Sequence, residues 1–212
     1  MTGFITHCWK SAGPELWRAC RWLLAAWLWV CMPVWAQTST AELTEFKVER
    51  QDGSLLLNAQ LRLELGPAVE DALVKGLAVH FVAEAELMRD RWYWYDKKLG
   101  TVVKYYRLAY QPLTRRWRLN VSSEPIAHSG VTSSLSQSFD TLQDALSVIR
   151  RQTAWKVAEM ADVDADARQY LSYRFRLDVS QLPRPFQIAA GNQADWRLDV
   201  GRNLRLTADM VR

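Results

Sequence analysis

Few side chains in this chain are spaced for catalysis. His128 and Ser129 adjoin in a serine-rich stretch. Nucleophilic hydrolysis also needs a base that is itself oriented by a third group, and no Gly-x-Ser-x-Gly turn presents a serine. His80 lies on the polar parity of an alternating run, which makes it a surface group or a cross-strand partner. Asp162, Asp164 and Asp166 imitate the start of a calcium loop, but Ala167 stands where the sharp turn needs Gly and Tyr173 where the bidentate Glu belongs. That mismatch makes the run a solvated loop. Glu84 and Glu86 share one face of one strand, whereas glycosidase carboxylates flank the scissile bond across a cleft. These residues favour a chain with no catalytic residue, no metal ligand and no cofactor, and weigh against an enzyme.

One cluster has binding chemistry. Arg89, Arg91, Trp92, Tyr93, Trp94, Tyr95, Lys97 and Lys98 crowd together, and Arg115, Arg116 and Arg118 follow on what reads as a neighbouring strand. Arginine forks hold carboxylates or phosphates, and indoles stack on rings or cations. Aromatics with arginine are also what protein interfaces favour. A ligand or partner patch is therefore expected over Arg89, Arg91, Trp92, Tyr93, Trp94, Tyr95, Arg116 and Arg118. Period two puts Trp92 and Trp94 on one strand face and Tyr93 and Tyr95 on the other. The favoured placement buries the tryptophans, Trp117 among them, since large aromatics contribute most to a small core. At least one of the two tyrosines is then exposed beside an arginine.

The elements that must position this cluster follow from periodicity. Residues 87–110 read as an aromatic hairpin around which the rest packs. Residues 55–65 alternate cleanly, with Leu55, Leu57, Ala59, Leu61, Leu63 and Leu65 inward. Asp52-Gly53 is a hairpin turn before them. Pro67 opens a short helix that Gly76 closes. Leu77, Val79, Phe81, Ala83, Ala85 and Leu87 share the inner parity of a further strand. Continuing that parity would carry Arg89 and Arg91 inward, so a register shift is expected near residues 88–90. Residues 102–110 are apolar on both parities and read as a central strand. Residues 116–121 and 169–179 alternate again, and one or two strands close the fold over 196–206. Residues 122–137 read as a long polar loop. Asp140 and Gln143 resemble a capping box. It opens a helix over 142–151, with Trp155, Val157 and Met160 as its packed extension. Residues 182–186, with two prolines, read as a non-helical connector.

The first 36 residues stand outside this fold. Lys10, Arg18 and Arg21 precede an apolar run over 22–32, and Val34-Trp35-Ala36 suits a cleavage site. The run is shorter than the roughly 20 residues of a spanning helix. It is expected to be a signal peptide cleaved after Ala36, sending the chain to the periplasm. The alternative is an uncleaved signal that anchors it to the inner membrane. All three cysteines, Cys8, Cys20 and Cys31, and six of the 11 tryptophans lie in this segment. The portion from Gln37 has no disulfide available and two histidines, His80 and His128, so a structural zinc site is excluded. Removing three basic residues and one acid from a chain of net charge +4 leaves +2. That is too little to imply nucleic-acid or membrane binding by net charge alone. No second long apolar run follows Ala36, so no transmembrane segment is expected after cleavage.

Several motifs recur in one order: AL-x-x-G-L at 72–77, RWYWYD at 91–96, Y-x-L-x-Y-x-x-L-T-x-x-W at 106–117, F-x-T-L-x-x-A-L at 139–146, LDVSQLPRPFQ at 177–187 and DWRLD at 195–199. Together with the export signal they resemble a family of exported proteins of Gram-negative bacteria. That family is described as a domain of unknown function, its members often labelled proline-rich signal peptide proteins. The resemblance covers nearly all of residues 37–212. It implies a single exported domain, carries over no catalytic or binding residues, and implies a link to a membrane sensor histidine kinase.

The expected fold is mainly β, a mostly antiparallel β-sandwich over residues 37–212, with seven to nine strands and two short helices. The expected function is a periplasmic binding or protein-interaction module of the cell envelope. The alternatives are an envelope enzyme acting on glycan or lipid, and a structural envelope protein. The isolated protein is expected to begin at Gln37. An intact mass that still contains residues 22–36 would make it membrane-anchored instead.

Overall fold

A computed structural model describes residues 38–91, 96–125, 134–160, 163 and 167–207. Nine strands and three α-helices are found among the described residues. The strands are β1 (Thr40–Gln51), β2 (Ser54–Glu64), β3 (Val79–Arg89), β4 (Lys97–Gln111), β5 (Arg116–Ser122), β6 (Leu135–Phe139), β7 (Arg151–Glu159), β8 (Gln169–Asp178) and β9 (Asp199–Arg205). The helices are α1 (Pro67–Val74), α2 (Leu142–Arg150) and α3 (Arg184–Asn192). Short 3₁₀ turns lie at Val179–Gln181 and Ala194–Trp196. The strands form two antiparallel sheets, β1-β2-β7 and β6-β5-β4-β3-β8-β9. One continuous hydrophobic core draws on both. The mainly β, two-sheet fold agrees with the sequence.

The alternating strands face as their periods dictate. Leu55, Leu57, Leu61 and Leu63 are at most 2% exposed on β2. Asp52 and Gly53 turn the chain from β1 into β2 with φ of 49° and 72°, the two positive angles of a tight hairpin turn. On β3, Val79, Phe81, Ala83, Ala85 and Leu87 are fully buried. The register between β3 and β4 shifts between Leu87 and Met88, at the edge of the expected interval. α1 opens on Pro67 and is followed by Gly76 at φ 85°. α2 packs Ala145, Leu146 and Ile149 onto β2, β5, β6 and β7.

Four readings change. The stretch after α2 is strand β7, not a helical extension. At Ala154, with φ 49°, an extra residue is inserted opposite β2, so Gln152 pairs with Ala59 and Trp155 with Leu57. A spacing of three between inward residues imitates a helix, and pairing with β2 overrides it. The helix start is Thr141 rather than Asp140: the Thr141 Oγ1 accepts from the Asp144 N–H at 3.1 Å. Residues 182–186 are not a plain connector. Pro183 caps α3 and Pro185 sits in its first turn, where a missing N–H costs nothing, which raises the helix number to three. The polar run before Asp140 contributes strand β6, paired to β5. No described helix is long and apolar enough to cross a membrane.

Leu61→Ala is expected to lower the unfolding free energy in urea titrations by about 2–5 kcal/mol. A loss below about 1 kcal/mol would mean that β2 does not carry the core.

Candidate functional site

Of the expected patch, the described arginines are not all brought together. Trp92, Tyr93, Trp94 and Tyr95 lie outside the described residues, as do His128, Ser129, Asp162, Asp164 and Asp166. Arg89 pairs in register with Lys97 at the start of β4, while Arg116 and Arg118 pair with Gln111 and Ala109 near its end. Twelve residue steps along β4 separate Lys97 from Ala109, roughly 40 Å of extended chain. Arg89 is half-buried and Arg91 is exposed, its N–H donating to Asp96 Oδ1 at 3.4 Å. At the other end Arg116 pairs with Asp140 at 2.9 Å, and Arg118 Nε donates to Ser136 Oγ at 2.9 Å. Trp117 is buried, as expected.

The outer face of the larger sheet is a row of satisfied charges. Lys98 pairs with Glu86, and Arg174 forks onto Asp199. The Arg174 guanidinium holds the Asp199 carboxyl below the usual carboxylate range. Tyr170 donates to Asp96 Oδ2 at 2.6 Å, and that bond pushes its phenol up to about 12. Glu84 and Glu86 are half-buried on this face, without a facing carboxylate from another strand. His80 is not at the surface: it is 6% exposed, beside Tyr105, Pro125 and Asp178 around a cavity of about 30 Å³. A central strand covered on its second face buries its polar parity too, which period two cannot show.

A second arrangement, absent from the sequence reading, lies between the sheets. The bulge at Ala154 turns both Gln152 and Trp155 inward, at 1% and 4% exposure. Asn58 Oδ1 fixes it by accepting from the Ala154 N–H at 2.8 Å. Bulges of this kind re-aim side chains next to sites. Trp155 meets Tyr173 edge-on with ring centroids 6.4 Å apart, and Lys104 Nζ sits 4.8 Å from the Trp155 ring centroid. Ala83, between Lys104 and Phe175, and Ala85, between Val102 and Tyr173, leave the room these large side chains fill. The Tyr173 hydroxyl, the Trp155 indole N–H and both ends of the Gln152 amide have no hydrogen-bond partner. Gln152 lies close enough to the Tyr173 hydroxyl to ease its ionisation slightly, without meeting the geometry of a hydrogen bond. Burial, and then neighbouring Tyr106, push the Tyr173 phenol far above the usual tyrosine range; burial does the same to Tyr106. Burial pushes the Lys104 ammonium down.

A third feature is the end of the larger sheet where β3 begins and β4 and β8 finish. Of the five large hydrophobic side chains exposed among the described residues, four attach there. They are Val74 at the end of α1, Leu113 at the tip between β4 and β5, and Phe186 and Ile188 on α3. Ile188 is 74% exposed and Leu113 fully so. α3 buries only Ala190 and is held by Gln187, whose Nε2 donates to the carbonyls of Ser180 and Leu182 at 2.8 and 2.7 Å. Lys75, Arg115, Arg184 and Arg197 are exposed at this end. Asp178 and Asp195 accept from backbone N–H groups and Asp140 holds Arg116. Glu70 and Asp71 are further acids here, so acids and cations balance at this end while the cations named stand exposed.

A family model described as Domain of unknown function (DUF4390) matches residues 38–205. No curated protein and no solved structure matches the chain.

The buried phenols predict an alkaline limit to stability. In the unfolded chain both ionise near pH 10, while the fold holds Tyr106 and Tyr173 neutral. Stability is therefore complete below about pH 10 and falls as pH rises above it. Lys104 works the other way in that range, since losing its proton relieves a buried charge. Urea titrations from pH 8 to 11 are expected to show a shallower fall for Tyr173→Phe than for the wild type. An equal slope would mean that the hydroxyl is solvated.

Proposed function

The chain belongs to the DUF4390 family, and on that premise we propose that it is a periplasmic binding and interaction module of the cell envelope, docking on an anionic membrane surface. The observation that carries this is the clustering of Val74, Leu113, Phe186 and Ile188 at one end of the larger sheet. Single exposed apolar residues are ordinary; a group of them at one end, edged by cations, marks an interaction surface. The chemistry fits lipid. Apolar side chains standing out from a helix and a loop tip enter the headgroup boundary, and the exposed Lys75, Arg115, Arg184 and Arg197 beside them can meet anionic headgroups. The export segment would begin the domain's life beside the membrane, cleaved or not. The membrane sensor implied by the family resemblance is the class of protein partner such a docked module would meet.

Flotation with vesicles tests the reading, using the protein as processed in the cell. It is expected to float with phosphatidylglycerol-containing vesicles and far less with purely zwitterionic ones. Replacing Leu113 and Ile188 together by serine should reduce flotation at least tenfold while leaving the melting temperature nearly unchanged, since they are 100% and 74% exposed. No flotation of the wild type, or equal flotation of both proteins, overturns lipid docking; a dependence on protein-containing envelope vesicles would identify a protein partner instead.

A further inference from the structure

Between the sheets, Lys104, Gln152, Trp155 and Tyr173 bring unpartnered hydrogen-bond donors into one neighbourhood and bring no acid with them. We infer that this cluster is a binding site for a small monovalent anion, of halide to carboxylate size, entered beside Lys104 where β5 ends.

Three observations carry the inference. First, the donors are buried and unanswered. Gln152, Trp155 and Tyr173 are at most 4% exposed, and the indole N–H, the phenol and the amide find no partner in the protein. A buried polar group without a hydrogen bond is destabilising and rare in folded chains, and three together ask for a common occupant. Second, the charge is unbalanced. Lys104 Nζ lies against the Trp155 ring, and no carboxylate pairs with it among the described residues. Water would satisfy the neutral donors but leave the half-buried ammonium uncompensated, whereas a monoanion answers both. The indole donates only, the ammonium donates only, and the phenol is held protonated by its surroundings, so the set selects an acceptor. Third, the backbone is bent to make the site. Ala154 takes a left-handed conformation that L residues adopt at a cost, and the bulge it forms is what sends Gln152 and Trp155 to the same side.

Access follows from the topology. β5 covers β4 from Tyr105 onward, its last pair being Tyr105 with Ser122. Lys104 is the next residue along β4 and is half-buried, so its ammonium reaches both solvent and the interior. Phe46, packed 5.7 Å from Tyr173, and buried Val157 line the core beyond. The site is independent of membrane docking, being inside the sandwich.

The test follows the Trp155 indole resonance in ¹⁵N-labelled protein, identified by its loss in Trp155→Phe. Sodium chloride, formate and acetate are titrated separately, with sulfate keeping the ionic strength constant. The resonance is expected to shift saturably with at least one anion, with half-saturation raised at least tenfold in Lys104→Met and in Gln152→Leu. If Lys104→Met does not fold, Lys104→Gln removes the charge at similar size and is read in the same way. No saturable shift, or a shift unchanged by these substitutions, overturns the site and leaves the donors to internal water.

Discussion

The fold depends on burying one face of β3. Its inward side chains, Val79, Phe81, Ala83, Ala85 and Leu87, are completely removed from water, and residues 37–212 contain no cysteine to replace that burial with a covalent link. β3 sits inside the larger sheet, paired on one side with β4 and on the other with β8. Stacked rings cross the neighbouring strands, Phe81 on Phe175 at 5.8 Å. The smaller sheet and α2 then cover what β3, β4, β5 and β8 present.

That arrangement explains where polar chemistry survives. The alanines at 83 and 85 keep the centre of β3 low, and the space above is filled by Tyr106, Tyr173 and Trp155, three aromatics that each carry a polar atom. Aliphatic side chains there would have made a dry core. Aromatics with polar tips instead place donors where water is scarce and interactions are strong. The bulge in β7 adds the Gln152 amide to the same space. Charges on the outer face behave differently: Arg174 with Asp199 is an exposed pair and Lys98 with Glu86 a partly exposed one, and such pairs contribute little to stability and occupy one another.

The larger sheet also sets the direction of the molecule. Three connections that leave the end formed by the start of β3 and the close of β8 carry an apolar side chain outward: α1 with Val74, the β4–β5 tip with Leu113, and α3 with Phe186 and Ile188. The opposite end holds Arg89 and Lys97. A long β4 therefore keeps the two basic groups of the hairpin region apart.

By itself, the sequence determined the strands with one polar face. Regular alternation over β2, β3, β5 and β8 leaves a single way to hide leucine and phenylalanine, so faces and fold class follow from period two. Turns written in Asp52-Gly53 and Pro67 were legible for the same local reason. Tertiary structure decided what depends on a partner strand. The inserted residue at Ala154 breaks the period and is readable only against β2. The burial of His80 needs the second cover over β3. The separation of Arg89 from Arg116 needs the length and pairing of β4, because closeness along a chain becomes distance once the chain is extended. The apolar end joins residues from 74 to 188, and the interior donors join 104 with 152, 155 and 173. No local pattern encodes either group, since only the pairing of distant strands makes them neighbours.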